Sequence, residues 1–253
     1  MDTVLHTPNA RRPLALRCYL LEAKYEFLRL LRAPAFAVPA LTFPVVFYLL
    51  FGVLLARGAA SSQMLVGYGV FGLMGPALFG FGVAMAMDRE LGLLKLKRAM
   101  PVPPGAVLLA KTLMAMVFAL IITAMLMTVA FTLAGVRLAP GQVALLVAVN
   151  VLGTLPFCAI GLYIGTLVSG QGAAAVVNLV YLPMAFLSGL WMPLSMLPKI
   201  IQTLAPAWPS YHLSQVALKV IGADAGGSLA MHVVVLLVFT AVFFFLARRR
   251  LSA

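Results

Sequence analysis

The chain has 253 residues, of which 64% are hydrophobic and only 9% charged, and its net charge is +12. An ordinary soluble domain carries about a quarter charged residues, so this composition excludes one. The basic residues flank apolar runs and form no single patch, which argues against nucleic acid and for anionic lipid headgroups and an acidic protein surface as partners.

The first 34 residues form a polar arm. Its length ahead of the first apolar run argues against a cleavable signal. Within it, Leu16, Tyr19, Leu20, Ala23, Phe27 and Leu30 recur at helical spacing, with Arg17, Glu22, Lys24, Glu26, Arg29 and Arg32 on the other side. An amphipathic helix in the membrane interface is expected, ending at Ala33 because Pro34 disfavours helical backbone before it. Periodicity alone leaves two roles open: a lipid anchor, or an anchor that also touches a cytoplasmic partner.

Six apolar stretches follow, at 35–56, 64–87, 106–134, 142–168, 173–190 and 229–247. At about 1.5 Å per residue each reaches across a hydrocarbon core of about 30 Å or nearly so. The spans are expected to be free of acidic and basic side chains, since one charge at mid-span costs about 2.5–3.5 kcal/mol. Basic residues concentrate in the arm, in the loop after the second stretch and in the tail, with Arg57, Arg137, Lys199 and Lys219 in the intervening loops. That asymmetry predicts six spans with both termini in the cytoplasm.

The loop at 88–104 runs from Asp88 and Glu90 through Gly92, Leu94, Lys97 and Arg98 to Pro101, Pro103 and Pro104. Acids suit a helix start and bases a helix end. One or two helical turns along the membrane surface are expected, the alternative being a solvated charge cluster. In the fourth span Gly161 and Gly165 make a GxxxG, with Ser169 four further on. Such spacing serves close packing within one chain or between two. Asn150 and Asn178 are read as interhelical hydrogen-bonding groups.

The segment at 191–227 is too apolar for a water-exposed loop. It holds Trp191, Trp208 and Tyr211 among Pro193, Pro198, Pro206 and Pro209. Two short helices dipping into the outer interface are expected, with these aromatic rings at headgroup level. The bland reading is an aromatic belt with no role toward substrate.

Several chemistries are missing from the sequence. There is no GxxxxGK[ST] phosphate loop, no GxGxxG and no HExxH, so ATP use would require another chain and an intramembrane enzyme is disfavoured. Cys18 in the arm and Cys158 in a span suggest no disulfide. His232, near the start of the sixth span, is the ionisable group taken at membrane depth, and a lone histidine there reads as structural rather than as a proton relay.

Taken in order, Asp88, Glu90, Gly92, Leu94 and Pro101, then Gly189, Trp191, Pro193, Leu197-Pro198 and Pro209-Ser210-Tyr211, resemble the two signature stretches of the permease subunit of type-2 ABC transporters. Asp88 stands where glutamate is usual and Leu93 where threonine is usual. The resemblance spans essentially the whole chain. It implies an all-α integral membrane protein of one domain, with six transmembrane helices, an N-terminal interfacial helix and a short external helical pair before the last span. It implies an exporter subunit with no catalysis and no cofactor of its own, paired with a second permease copy in the bacterial inner membrane. Two copies of a separate ATPase would bind ATP and Mg. The loop at 88–104 would dock in that ATPase, with Glu22 and Glu26 in the second contact, and Gly189, Trp191, Pro193, Pro198, Pro209 and Tyr211 would form an external gate. The apolar spans, rich in Met and Phe, favour a hydrophobic or amphipathic solute, such as a drug-like compound or a lipid. The alternatives are a polysaccharide or ion exported by the same family, or an ion-coupled transporter.

Overall fold

The computed structural model describes residues 11–56, 58–99, 105–223 and 227–252. Pro101, Pro103, Pro104 and Asp224 lie outside them. The described residues are helices and turns without a strand. Helix α1 (Arg11–Leu31) is followed by α2 (Pro34–Phe47), which runs on as a π-helix (Tyr48–Leu55). Then come α3 (Ala59–Glu90), α4 (Leu93–Ala99), α5 (Ala106–Thr132), α6 (Pro140–Leu152), α7 (Leu155–Leu167) and α8 (Gly170–Leu187). Two short helices, α9 (Lys199–Leu204) and α10 (Pro209–Ile221), precede α11 (Leu229–Ser252).

Six helices are long and apolar enough to cross a membrane, with α6 and α7 forming one interrupted span over Pro140–Leu167. The interruption falls at Gly153 and Thr154, where Pro156 in the first turn of α7 contributes no backbone N–H. The chain turns at Ala33 ahead of Pro34, as the sequence predicts.

Helix α3 is the axis of the bundle. It packs against α2, α5, α7, α8 and α10, and most of its surface is buried. In a bilayer no hydrophobic drive brings helices together, so close backbone packing and interhelical hydrogen bonds must do so. Both are present. A Cβ at Gly161 would lie 2.8 Å from the Leu78 carbonyl oxygen, and one at Gly165 would lie 2.8 Å from that of Gly82. The GxxxG of the fourth span therefore seats α7 on α3 of its own chain. Asn150 donates to the Thr123 hydroxyl at 3.1 Å, joining α6 to α5 as expected of an intramembrane asparagine. In the π-helix after α2 the Tyr48 ring lies where a Cβ on Gly52 would be, and its hydroxyl meets that of Ser61 at 3.1 Å.

At 32 residues, α3 is about 48 Å long, well beyond a hydrocarbon thickness of about 30 Å. Its two ends therefore reach beyond such a core, and both are covered by other parts of the chain. Helices α1 and α4 gather at the Glu90 end. The chain from Ser188 to α10 covers the opposite end, where the Leu190 carbonyl occupies the space beside Gly67. The basic residues divide accordingly: Arg29, Arg89 and Lys97 lie at the Glu90 end, and Lys199 and Lys219 at the other.

Candidate functional site: a charged joint and an aromatic cleft

The last turn of α3 is Asp88-Arg89-Glu90, and each of these side chains reaches a different part of the molecule. Asp88 turns inward. Its Oδ2 is 2.9 Å from Lys111 Nζ on α5, and its Oδ1 accepts from Arg29 Nη1 on α1 at 2.9 Å. Lys111 Nζ also donates to Glu26 Oε1 on α1 at 2.7 Å, and Arg29 lies 3.7 Å from the other oxygen of Glu26. Lys111 is fully buried and Glu26 and Asp88 nearly so. Two acids and two bases of balanced formal charge thus join α1, α3 and α5, with Lys111, Glu26 and Asp88 buried and Arg29 open to solvent. An isolated buried charge would cost several kcal/mol, and the two carboxylates beside Lys111 offset that cost.

Three sequence expectations are corrected by this cluster. The spans are not all free of charge, because Lys111 stands in the second turn of α5. The acids do not start a helix: α3 continues to Glu90, and the unfavourable position of acids at a helix C-terminus is offset by Lys111, Arg29 and the start of α8. Glu26 does not sit on a solvent-facing polar side of α1 but is buried.

Arg89 and Glu90 point the other way, to the turn between α7 and α8. The Arg89 guanidinium donates to the carbonyls of Thr166 and Val168, at 2.9 Å for the latter. Glu90 Oε2 accepts from the Gly170 backbone N–H at 2.6 Å. A cation thus meets the negative end of α7 and an anion the positive end of α8, the arrangement that helix dipoles favour. The space a Cβ on Gly170 would need is filled by Glu90 Oε2 and Met87.

Past this joint, Gly92 takes φ +71°, a left-handed turn suited to glycine, and α4 begins. Its two turns supply the short helix expected in this loop. Nothing lies within 4 Å of a Cβ built on Gly92, so the glycine serves backbone conformation and not close approach. Lys97 pairs with Glu22, fastening α4 to α1. Leu94 is half-buried against the bundle, while Leu91, Lys95 and Leu96 face outward.

The residues singled out between Gly189 and Tyr211 separate in the structure. Gly189 (φ +71°), Pro193 and Tyr211 line a small pocket of about 230 Å³ with Gln63 and Gln215. Pro198 is exposed before α9, and Pro209 is buried in the first turn of α10. Trp191 turns into the bundle. Its ring stands edge-on to Phe71 at 5.7 Å, and its carbonyl accepts from the Tyr68 hydroxyl at 3.0 Å. It thereby joins Phe36, Phe43, Phe47, Phe71, Phe79 and Tyr181 around a cleft of about 410 Å³ between α2, α3 and α8. Tyr181 stacks on Phe71 at 5.1 Å and donates to the Phe71 carbonyl at 3.2 Å. Asn178 is the polar side chain in this lining.

Sequence reading also missed a partner for His232. Its Nδ1 lies 2.8 Å from His212 Nδ1, and His212 Nε2 meets the Pro206 carbonyl at 2.9 Å. Both imidazoles are buried, and the pair ties α10 to the start of α11. It is legible only once α10 is seen folding back over the last span.

The molecule is thus a bundle of six candidate spans with a short helix after its longest span and an apolar lateral cleft. Residues 19–222 match the family described as ABC-2 type transporter. The chain is 25% identical over 228 residues, 88% of its own length and 92% of the relative's, to "Putative transport permease YvfS" of Bacillus subtilis (strain 168). Matching over most of its length in sequence, and all-α with six candidate spans, the chain belongs to the ABC-2 type transporter family.

Proposed function

We propose that this transporter subunit moves a hydrophobic or amphipathic compound out of the cytoplasm, driven by ATP hydrolysed on a separate ATPase. The observation that carries the substrate reading is the cleft between α2, α3 and α8. Seven aromatic rings and one asparagine line it. Such a wall offers dispersion and ring-edge contacts, about 0.5–1.5 kcal/mol per aromatic pair beyond area burial. It offers a sugar chain or a bare ion few of the hydrogen bonds that either loses on leaving water.

The drive would enter at the Glu90 end. There the turn before α4 exposes Leu91 and α4 exposes Lys95 and Leu96, a small apolar and basic surface beside α1 for an ATPase groove with acidic rims. Glu22 and Lys97 hold α4 to α1, so the two would move together as one lever. Basic residues concentrate at that end, which supports a cytoplasmic placement in the inner membrane and the same side for both termini. The cleft opens sideways on one chain, and a second copy facing it would complete a pathway.

The test is purification of the tagged chain from its native membrane, followed by measurement of nucleotide hydrolysis. A separately encoded ATPase should co-purify, and transport by the reconstituted complex should require ATP. Transport that follows an imposed ion gradient and ignores ATP would overturn the reading in favour of an ion-coupled carrier.

A further inference from the structure

We infer that Arg89 and Glu90 are positioning residues that carry the motion of α4 into α8, and through it into the wall of the cleft. This rests on the proposed ATP-driven function. It changes the part Glu90 plays: its carboxylate acts inside the chain, and the ATPase is contacted elsewhere.

Three observations support it. First, both helix ends of the α7–α8 turn are held by adjacent residues of α3: Arg89 on the carbonyls of Thr166 and Val168, Glu90 on the amide of Gly170. Holding both ends fixes the turn in position and direction, which one contact would not. Second, Gly170 is itself buried against Met87 and Glu90, so the first turn of α8 rests on the last turn of α3. Third, α8 runs from this contact as a helix of 18 residues and delivers Asn178, Tyr181 and Leu182 to the cleft. The Tyr181 hydroxyl ties it to α3 again at that level. Helices α3 and α8 therefore form one wall, fastened at two heights. On the far side of the cleft the Pro34–Leu55 segment is mostly unburied and meets α3 where Pro44 lies beside Gly72. A displacement applied at α4 moves the α3–α8 wall relative to α2 and so changes the width of the cleft.

The test uses Glu90→Ala and Glu90→Gln in the complex with its ATPase. Three quantities are read: ATPase affinity by titration, substrate moved per ATP hydrolysed, and backbone hydrogen exchange in 170–174. Glu90→Ala should leave ATPase affinity unchanged and accelerate exchange in the first turn of α8. It should lower transport per ATP by about fivefold, the low end of measured coupling between sites, because Glu90 is partly solvated. Glu90→Gln keeps an acceptor oxygen for the Gly170 amide and should fall between Glu90→Ala and the unaltered chain. It carries the test if Glu90→Ala fails to insert. A loss of ATPase affinity would make Glu90 a docking residue and overturn the inference, as would an unchanged transport ratio or unchanged exchange at 170–174. If the unaltered complex shows no ATP-dependent transport, the functional reading fails first. The exchange measurement still decides whether Glu90 caps α8.

Discussion

Lys111 and Asp88 form an ion pair of 2.9 Å in which neither side chain is more than marginally exposed. Glu26 closes the group from α1, so the arm, the central span and the third span meet at one ammonium. Breaking a buried pair by removing one partner typically costs about 3–5 kcal/mol, because the charge left behind has no water. Lys111→Met should therefore lower the thermal midpoint of the purified protein sharply. Adding Glu26→Gln should restore much of the loss, since Asp88 and Arg29 then remain as a balanced pair. Equal destabilisation in the single and double variants would mean that packing, not charge balance, governs the site.

Gly92 poses the opposite problem, with open space and a demanding backbone. A left-handed conformation costs an ordinary residue about 1–2 kcal/mol, and asparagine tolerates it best. Gly92→Asn should keep near-normal transport and stability, whereas Gly92→Val should shift α4 and lower transport. Comparable activity in the two variants would show that the turn can be made another way.

The six apolar helices, the break at Pro34 and the short helix after the second of them were all legible, because each depends on local signals: apolar run length, a proline, a glycine between charges. The joint was not, because its bonds close over long separations: Lys111 reaches Glu26 across 85 positions and Gly170 reaches Glu90 across 80. Lys111 stands inside the third apolar stretch, where the expectation of charge-free spans left no role for it. One signal was available in the scarcity of acids, of which the whole chain has six. Glu22, Glu26, Asp88 and Glu90 all lie at one end of the bundle, each with a basic group or a helix N–H as its partner. In so apolar a chain, acids beside a span point to buried or helix-end partners. Trp191 shows the reverse limit: an aromatic residue at a span end suggests the headgroup layer, but its ring packs on Phe71 inside the bundle.

The packing of Gly161 on α3 makes a prediction about assembly. A larger side chain would meet the backbone of Leu78 and Ala77, which cannot yield as a side-chain tip can. Overpacking of this kind costs about 1–3 kcal/mol. Gly161→Val should thus lower the thermal midpoint without altering the number of chains in the detergent-solubilised particle, as read by light scattering. A change in that number at unchanged stability would place the glycine at a contact between chains.

Sidedness is open to direct chemical measurement. Single cysteines at Ser62, Gly141 and Asp224, in a chain with Cys18 and Cys158 replaced, should react with an impermeant thiol reagent from outside intact cells. Cysteines at Ala10, Lys97 and Ser252 should react only after the membrane is opened. External labelling at Lys97 would remove α4 from the cytoplasm and with it the proposed ATPase contact.

The most direct test of the account is ATP-dependent movement of a solute panel by the permease and its ATPase in proteoliposomes. Lipophilic cations, amphipathic peptides and labelled lipids would be compared with sugars and metal ions. One or more of the apolar or amphipathic compounds should move, and Phe71→Ala and Tyr181→Ala should lower that movement severalfold while ATP hydrolysis continues. ATP-dependent movement of a sugar or an ion, with no response to any apolar compound, would contradict the substrate reading.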